Sequence, residues 1–478
     1  MPTAPTDARP PETPSGDRVP LREKIALGFG FITSSGSENV IHVLFYPIYN
    51  MTMGMSPALV SVLLFVQRLW SAFLDPAAGE LSDNFRSRFG RRRPLLALSV
   101  VPLALSFAGL WLVRPGSSSS SLFVYVLALS ILFYTARAFY GVPLLGLQVE
   151  ATSDYHERTR LAGFTQIFIL VFAVLPDWLF AWSRRSTFPD PTAGLHRIGW
   201  ALGAFFLAAG ILPVFLTRER RYAELAPHPV RRPIRESVRV ALANRPLALI
   251  VAMQLVVTGS YNLVGILGLY LNYYYIYSGD IRRAAVMEGW NATAFQAAAV
   301  GSVFVYRRLS RRIGKRQTLQ VSLGVLVAGC LCKLVLFQPA HPWLMLPIWA
   351  ANGAGMAGVA VMTLSMLSDA ADYEEWRTGT RSEGIFASLQ NLADTLGYTV
   401  GSLVSGFILV AVGFNVRLGG AQPAETLLLM RLLYAAVPFA GGVAAAIIIH
   451  RYPLTAERVG EMKAEMERRR SAGESARA

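Results

Sequence analysis

Stretches of about twenty mainly apolar residues recur along the chain, separated by short gaps rich in arginine, glycine and proline. A bilayer core takes ~20 residues of helix to cross, so each stretch predicts a membrane span. Twelve spans are expected, near residues 25–49, 57–81, 94–113, 122–148, 161–183, 197–216, 246–275, 290–306, 317–337, 343–368, 384–411 and 426–449. The longest and most basic gap, Thr217 to Arg245, divides them six and six. The domain plan is therefore a tail over 1–20, a first half over 21–216, a linker over 217–245, a second half over 246–450 and a tail over 451–478. Residues 1–20 are Pro-rich and polar with no apolar core, so that tail is expected to be disordered, with the first span acting as insertion signal.

Composition sharpens the class. Of 478 residues, 53% are hydrophobic and only 16% charged, and mean hydropathy is +0.40, too apolar for an ordinary soluble protein. The fold class is an all-α polytopic membrane protein, expected in the bacterial inner membrane. A formal charge of +15 in a soluble chain would suggest nucleic acid, but here the arginines sit in gaps between apolar runs. Arg86, Arg88, Arg91 to Arg93, Arg218 to Arg245 and Arg307 to Arg316 fall on one side under strict alternation. That asymmetry predicts cytoplasmic termini and no nucleic-acid partner. Cys330 and Cys332, two apart in one helix, point to different sides and read as packing residues, not a disulfide.

Charge at bilayer depth is costly, so polar residues inside the spans are the functional candidates. In the second span Arg68, Ser71 and Asp75 fall at i, i+3 and i+7 and share a helical face; the alternative for Arg68 and Asp75 is snorkelling toward the interface. In the first, Ser35, Glu38 and His42 share a face, where a carboxylate and an imidazole one turn apart can exchange a proton; the alternative is a satisfied polar patch between helices. In the fourth, Arg137 lies far from either loop, beside Tyr140 and Gly141, and needs an acid from Glu38, Asp75 or a substrate. Gly141 with Pro143 is expected to loosen that helix. The second half offers Tyr261, Asn262, Gln390 and Asp394, while Lys333 is expected to snorkel. No nucleophile, metal cluster or phosphate-cradling loop appears, so neither an enzyme nor a cofactor is expected.

The gap after the second span, Gly79-Glu-Leu-Ser-Asp83 to Gly90-Arg91-Arg92-Arg93, is echoed after the eighth by Arg307-Arg308-Leu-Ser-Arg311-Arg312-Ile-Gly314-Lys315-Arg316. A glycine turn followed by a basic cluster thus occupies the same place in each half. With this repeat, the chain resembles the major facilitator superfamily. The run Arg68-x-Trp70-x4-Asp75-Pro76 and the later Asp369-Ala-Ala-Asp372-Tyr373-Glu-Glu375-Trp-Arg377-Thr-Gly379-Thr-Arg381 are similar to the glycoside-pentoside-hexuronide:cation symporter family.

The resemblance implies a secondary transporter working by alternating access, coupled to a cation. It also exposes departures. The family's sugar-contacting acids in spans 1 and 4 match Ser35 and Gly141, and the tryptophan one turn on matches Leu145. Basic residues found in spans 5 and 11 match Gln166 and Thr395. Of two span-2 acids at the cation site, the positions are Ser71 and Asp75, so one acid remains. Sodium asks for several hard oxygen ligands, so this loss favours a proton, or no ion, over sodium, although the Ser71 hydroxyl keeps one oxygen for sodium. Coupling is assigned to Asp75, Glu38, Ser71 and His42. A cytoplasmic gate is expected from Asp83, Arg86, Arg91 and Arg92 against Asp369, Asp372, Tyr373, Glu375, Arg377 and Arg381. The expected partners are one small-molecule substrate and the lipid bilayer, with the chain a monomer. A sugar or glycoside is the leading cargo; a non-sugar amphiphile or organic anion such as a lysolipid, and a non-transporting sensor on the same scaffold, are the competing readings.

Overall fold

The computed structural model describes residues 18–114, 116–152, 154–188, 190–219, 244–378 and 383–475. The expectations for residues 1–17, for most of the linker (220–243) and for Arg381 lie outside them. Every regular element among the described residues is helical. Span 1 is composite: helix Leu21–Phe31, a π-helical stretch Ile32–Gly36, helix Ser37–Phe45 and a second π stretch Tyr46–Thr52. The following spans are Pro57–Asn84, Arg93–Leu110, Ser119–Glu150, a fifth broken into Tyr155–Phe172 and Leu175–Ser183, and Pro191–Leu216. The second set runs Arg245–Tyr270 with its π extension Leu271–Ile276, then Ile281–Ile313, Lys315–Leu336, Met345–Thr378, Glu383–Ala411 and Ala424–His450.

Several starts are fixed by side chains that accept from otherwise orphaned backbone N–H groups. Ser118 accepts from Ser121, Asp154 from Glu157, Asn244 from Leu247 and Asp280 from Arg283. By length and composition alone, ten helices among the described residues are apolar enough to cross a membrane. Two expected spans fall short. The first carries the polar run Thr33 to Asn39, which supplies site residues, and the eighth holds four arginines in its last two turns.

The chain divides into two compact units, Met1–Ile48 with Val66–His228, and Tyr49–Phe65 with Pro229–Ala478. The hairpin Tyr49–Phe65 therefore belongs with the second unit, although a cut at the linker assigns it to the first half. Within that second unit the Tyr270 hydroxyl donates to Asn50 Oδ1, and Asn50 Nδ2 donates to the Met55 carbonyl at 2.5 Å.

The first unit is cored by interlocked aromatics, with Phe107 and Phe206 edge to face at 4.8 Å and Trp111 5.6 Å from Phe107. The second is cored by aliphatic and methionine side chains, including Leu247, Met253, Leu323 and Met366, around Tyr452. The glycines of the repeated turn, Gly90 and Gly314, have φ of 106° and 83°, a left-handed region that side chains resist. Beyond span 12, helix Ala456–Ser475 buries Met462 and accepts, through Glu465, the Trp376 indole N–H at 3.0 Å.

Candidate functional site

Spans 1, 2 and 4 of the first unit bring the sequence candidates together. The π stretch Ile32–Gly36 lies within the polar run Thr33 to Asn39, and Glu38 follows it in the first turn of helix Ser37–Phe45. Glu38 is 7% exposed and lies between two guanidiniums, with Oε1 2.9 Å from Arg68 Nη1 and Oε2 2.6 Å from Arg137 Nη2. His42 Nε2 stands 3.7 Å from Glu38 Oε1 and 3.4 Å from the Tyr134 hydroxyl. Arg68 thus turns into the bundle and does not snorkel. Neither does Lys333 in the second unit, which is 3% exposed with its ammonium 3.8 Å above the Tyr434 ring. Its ammonium instead donates to the Tyr434 carbonyl at 3.4 Å.

A second polar thread runs from Arg137 down span 2. Arg137 Nη1 donates to Ser71 Oγ at 3.3 Å, and Ser71 donates to Asp75 Oδ2 at 3.4 Å. Asp75 Oδ1 is buried and accepts no hydrogen bond. Glu38 Oε1 likewise accepts no hydrogen bond, so the two carboxylates differ in ion pairing: Glu38 pairs with two guanidiniums, and Asp75 accepts only from a hydroxyl. Sequence reading treated them as a pair and missed the contacts that hold spans 2 and 4 in register. These are Gln67 Nε2 to Ser130 Oγ at 2.8 Å and Trp70 Nε1 to Thr135 Oγ1 at 3.0 Å. The spacing of Gln67, Ser71 and Asp75 at i, i+4 and i+8 was the available signal.

The remaining first-half candidates fall into different surroundings. Ser35 is half-buried on span 1, and Gln166 is exposed on span 5. Tyr140 is buried, its hydroxyl donating to the Gly210 carbonyl at 2.8 Å. The Ser119–Glu150 helix is unbroken through Pro143, and Gly141 marks a close approach instead of a loosening: a Cβ there would lie 2.5 Å from Ser34 Oγ.

In the second unit, Asp394 Oδ1 accepts from Gln254 Nε2 at 2.6 Å and from Thr258 at 3.0 Å. Asn262 donates to the Thr258 carbonyl at 2.8 Å, Gln390 is half-buried on span 11 with Asp394, and Thr395 is exposed. Tyr261 is directed elsewhere, donating to Asn352 Oδ1 at 3.2 Å near Cys330.

The expected gate residues form tight networks inside each unit. Arg92 Nη2 is 3.3 Å from Asp83 and 2.7 Å from Glu150, and Arg91 Nη2 also reaches Glu150 at 2.7 Å. Burial pulls the Arg92 pKa down from its usual value, and the Glu150 charge works against that. Glu219 accepts from the backbone N–H groups of Arg91, Arg92 and Arg93 at 2.8, 2.9 and 3.0 Å, capping span 3. Arg86 is exposed. In the second unit Asp369 pairs with Lys315 at 2.7 Å, Arg377 with Glu374 at 3.2 Å, and Tyr373 lies 6.0 Å from Trp376. Asp372 is buried and Glu375 half-buried. Sequence reading gave no sign of Glu150, Glu219 and Glu374 as partners, nor that Lys315 of the repeated cluster would pair with Asp369, because loop partners depend on how helix ends meet.

Charged groups buried among the apolar helices of a many-span chain are what a membrane transporter uses to bind and couple its cargo. Residues 26–456 match the MFS/sugar transport protein family, and the chain belongs to that family. It is 25% identical to a putative glycoside/cation symporter of Escherichia coli (strain K12), covering 95% of this chain and 96% of that one. It is 24% identical to the isoprimeverose transporter of Lactiplantibacillus pentosus, over 91% and 89%, and 23% identical to a putative sulfoquinovose importer of Salmonella typhimurium, over 95% and 94%. Among solved structures, the nucleoside transporter NupG superposes with TM-score 0.58 at 12% identity, covering 91% of this chain and 99% of that one. A bacterial homologue of the human lysosomal transporter Spinster gives 0.58 at 16%, covering 94% and 97%. Both carry the twelve-helix major facilitator fold to this chain.

Proposed function

We propose that the protein couples entry of a small sugar or glycoside to a proton by alternating access, with Asp75 as the proton carrier. The observation that carries this is the contrast between the two acids. Glu38 holds two guanidiniums, and protonating it would strand both; Asp75 accepts only from the Ser71 hydroxyl and can gain or lose a proton without breaking an ion pair. Arg137, joined to Asp75 through Ser71, senses that change. Ser71 in place of a second acid leaves too few charged oxygens for a strong sodium site.

In this reading Ser35, Gln166, Asn262, Gln390, Asp394 and Thr395 face the substrate. The Asp83–Arg92–Glu150 and Asp369–Lys315 networks work the gate from a cytoplasmic side that also carries both termini. The chain acts as a monomer. Liposomes holding the protein, offered a panel of pentosides, hexosides and hexuronides, should alkalinise the outside as the accepted sugar enters. Asp75→Asn should stop accumulation while sparing sugar exchange. Sodium-stimulated uptake indifferent to a pH gradient would overturn the proton assignment.

An organic anion is the second reading, favoured by the two guanidiniums that share a single carboxylate and by the sulfoquinovose name of one relative. Competition by a sulfonated sugar, lost in Arg68→Gln, would select it.

A further inference from the structure

On the second unit, spans 9 and 12 enclose a groove of about 520 Å³ that the transport site does not use. Gln320, Leu323, Gly324 and Val327 line one wall, and Val443, Ala446, Ile447 and His450 the other. Each set is spaced i, i+3, i+4, i+7, so two helical stripes face one another over about 10 Å, roughly a third of a ~30 Å bilayer core. Gly324 keeps the floor open, since a Cβ there would meet nothing within 4 Å. The deep end closes where Gly442 lets span 12 approach Val327, at 2.7 Å from a would-be Cβ.

The shallow end is different in chemistry. It lies where span 9 begins and span 12 ends, and Arg451 lines it. Arg316 Nη2 and Gln320 Nε2 both donate to His450 Nδ1, at 3.3 and 3.2 Å. Two donors on one ring nitrogen assign it the lone pair, so the Nε2 hydrogen is the one offered to a ligand. No carboxylate lines the groove among the described residues. The result is an apolar slot open along the membrane-facing length of two spans, with a cationic, donor-rich mouth at the interface.

We propose that this groove holds one anionic phospholipid, its acyl chain along the Gly324 floor and its phosphate at Arg451 and His450. Charge complementarity selects this occupant: a zwitterionic headgroup brings its own cation to a mouth that already has two, and a protein helix would be too wide for a slot walled by two touching helices. A cation at the membrane surface is worth about fivefold in binding an anionic lipid.

Native mass spectrometry of the full chain, released from nanodiscs containing equal phosphatidylglycerol and phosphatidylcholine, tests it. One phosphatidylglycerol should stay bound with at least fivefold preference. Arg451→Gln should cut the preference about fivefold, Gly324→Leu should remove the retained lipid by filling the floor, and Arg308→Gln, outside the groove, should change neither. Equal retention of the two lipids overturns the proposal. So does a preference that survives both Arg451→Gln and Gly324→Leu.

Discussion

Arg137 Nη2 lies 2.6 Å from Glu38 Oε2, while the other oxygen of the same carboxylate is held at 2.9 Å by Arg68. Three helices are thus fastened through one buried acid. Removing one partner of a buried pair leaves a charge without compensation, at a cost of about 3–5 kcal/mol. Glu38→Gln should therefore lower the melting temperature in detergent sharply, and Glu38→Gln with Arg137→Gln should recover part of the loss. A Glu38→Gln protein as stable as the parent would show that the pair carries no structural load.

Gly141 and Ser34 give a steric test of the same region. A methyl group at 141 would lie 2.5 Å from Ser34 Oγ but 3.6 Å from Ser34 Cβ. Gly141→Ala should destabilise by about 1–3 kcal/mol as spans 1 and 4 are pushed apart. Ser34→Ala in the same chain should restore stability, because only the hydroxyl is in the way. Thermal melts of the single and double variants decide it.

These two sites also show what could be read from the chain. Glu38, Asp75 and Arg137 were legible because an ionised group within an apolar run has few innocent explanations. The twelve runs were legible because bilayer thickness sets their length. The three π stretches among the described residues were not, since inserting one residue into a helical turn leaves no mark in hydropathy. Nor was the inequality of the two acids: it depends on Arg68 reaching Glu38 and not Asp75, a matter of inter-helix register that spacing within one helix cannot fix. Gly141 illustrates the same limit, with a glycine read as a weak point proving to be a contact.

If coupling runs through Asp75 as proposed, Ser71 is the position at which ion choice should be alterable. Its hydroxyl touches both Arg137 and Asp75, so an acid placed there would stand beside Asp75 and the Arg137 guanidinium. Ser71→Asp should create sodium dependence, read as sodium-stimulated sugar uptake or as a sodium-induced change in the fluorescence of neighbouring Trp70. Uptake that stays indifferent to sodium would mean that further oxygen ligands are missing.

Glu219 ties the end of span 6 to the start of span 3 through three backbone N–H groups. Those groups belong to the orphaned donors of a helix N-terminus, where an anion is also favoured by the helix dipole. Glu219→Ala should speed amide exchange at Arg91, Arg92 and Arg93 and cost about 1–2 kcal/mol. Glu219→Gln should keep part of this capping and fall between. Exchange rates unchanged at these amides would assign the capping to some other group.

Lys333 supplies the last test, because here a charge is buried without the partner that Glu38 enjoys. Its ammonium lies over the rings of Tyr434 and Tyr261, at 3.8 and 5.4 Å, and donates to the Tyr434 carbonyl at 3.4 Å. No carboxylate pairs with it among the described residues. Cation–π contacts return ~2 kcal/mol or more when desolvated, set against the several kcal/mol that burying an ammonium costs. Methionine has a similar length and no charge to desolvate, so Lys333→Met should raise the melting temperature if the lysine is only structural ballast. A variant that is more stable yet slower in transport would mark Lys333 as a residue kept for function at the expense of stability. A variant that is less stable would show that the aromatic cage stabilises the ammonium more than this comparison allows.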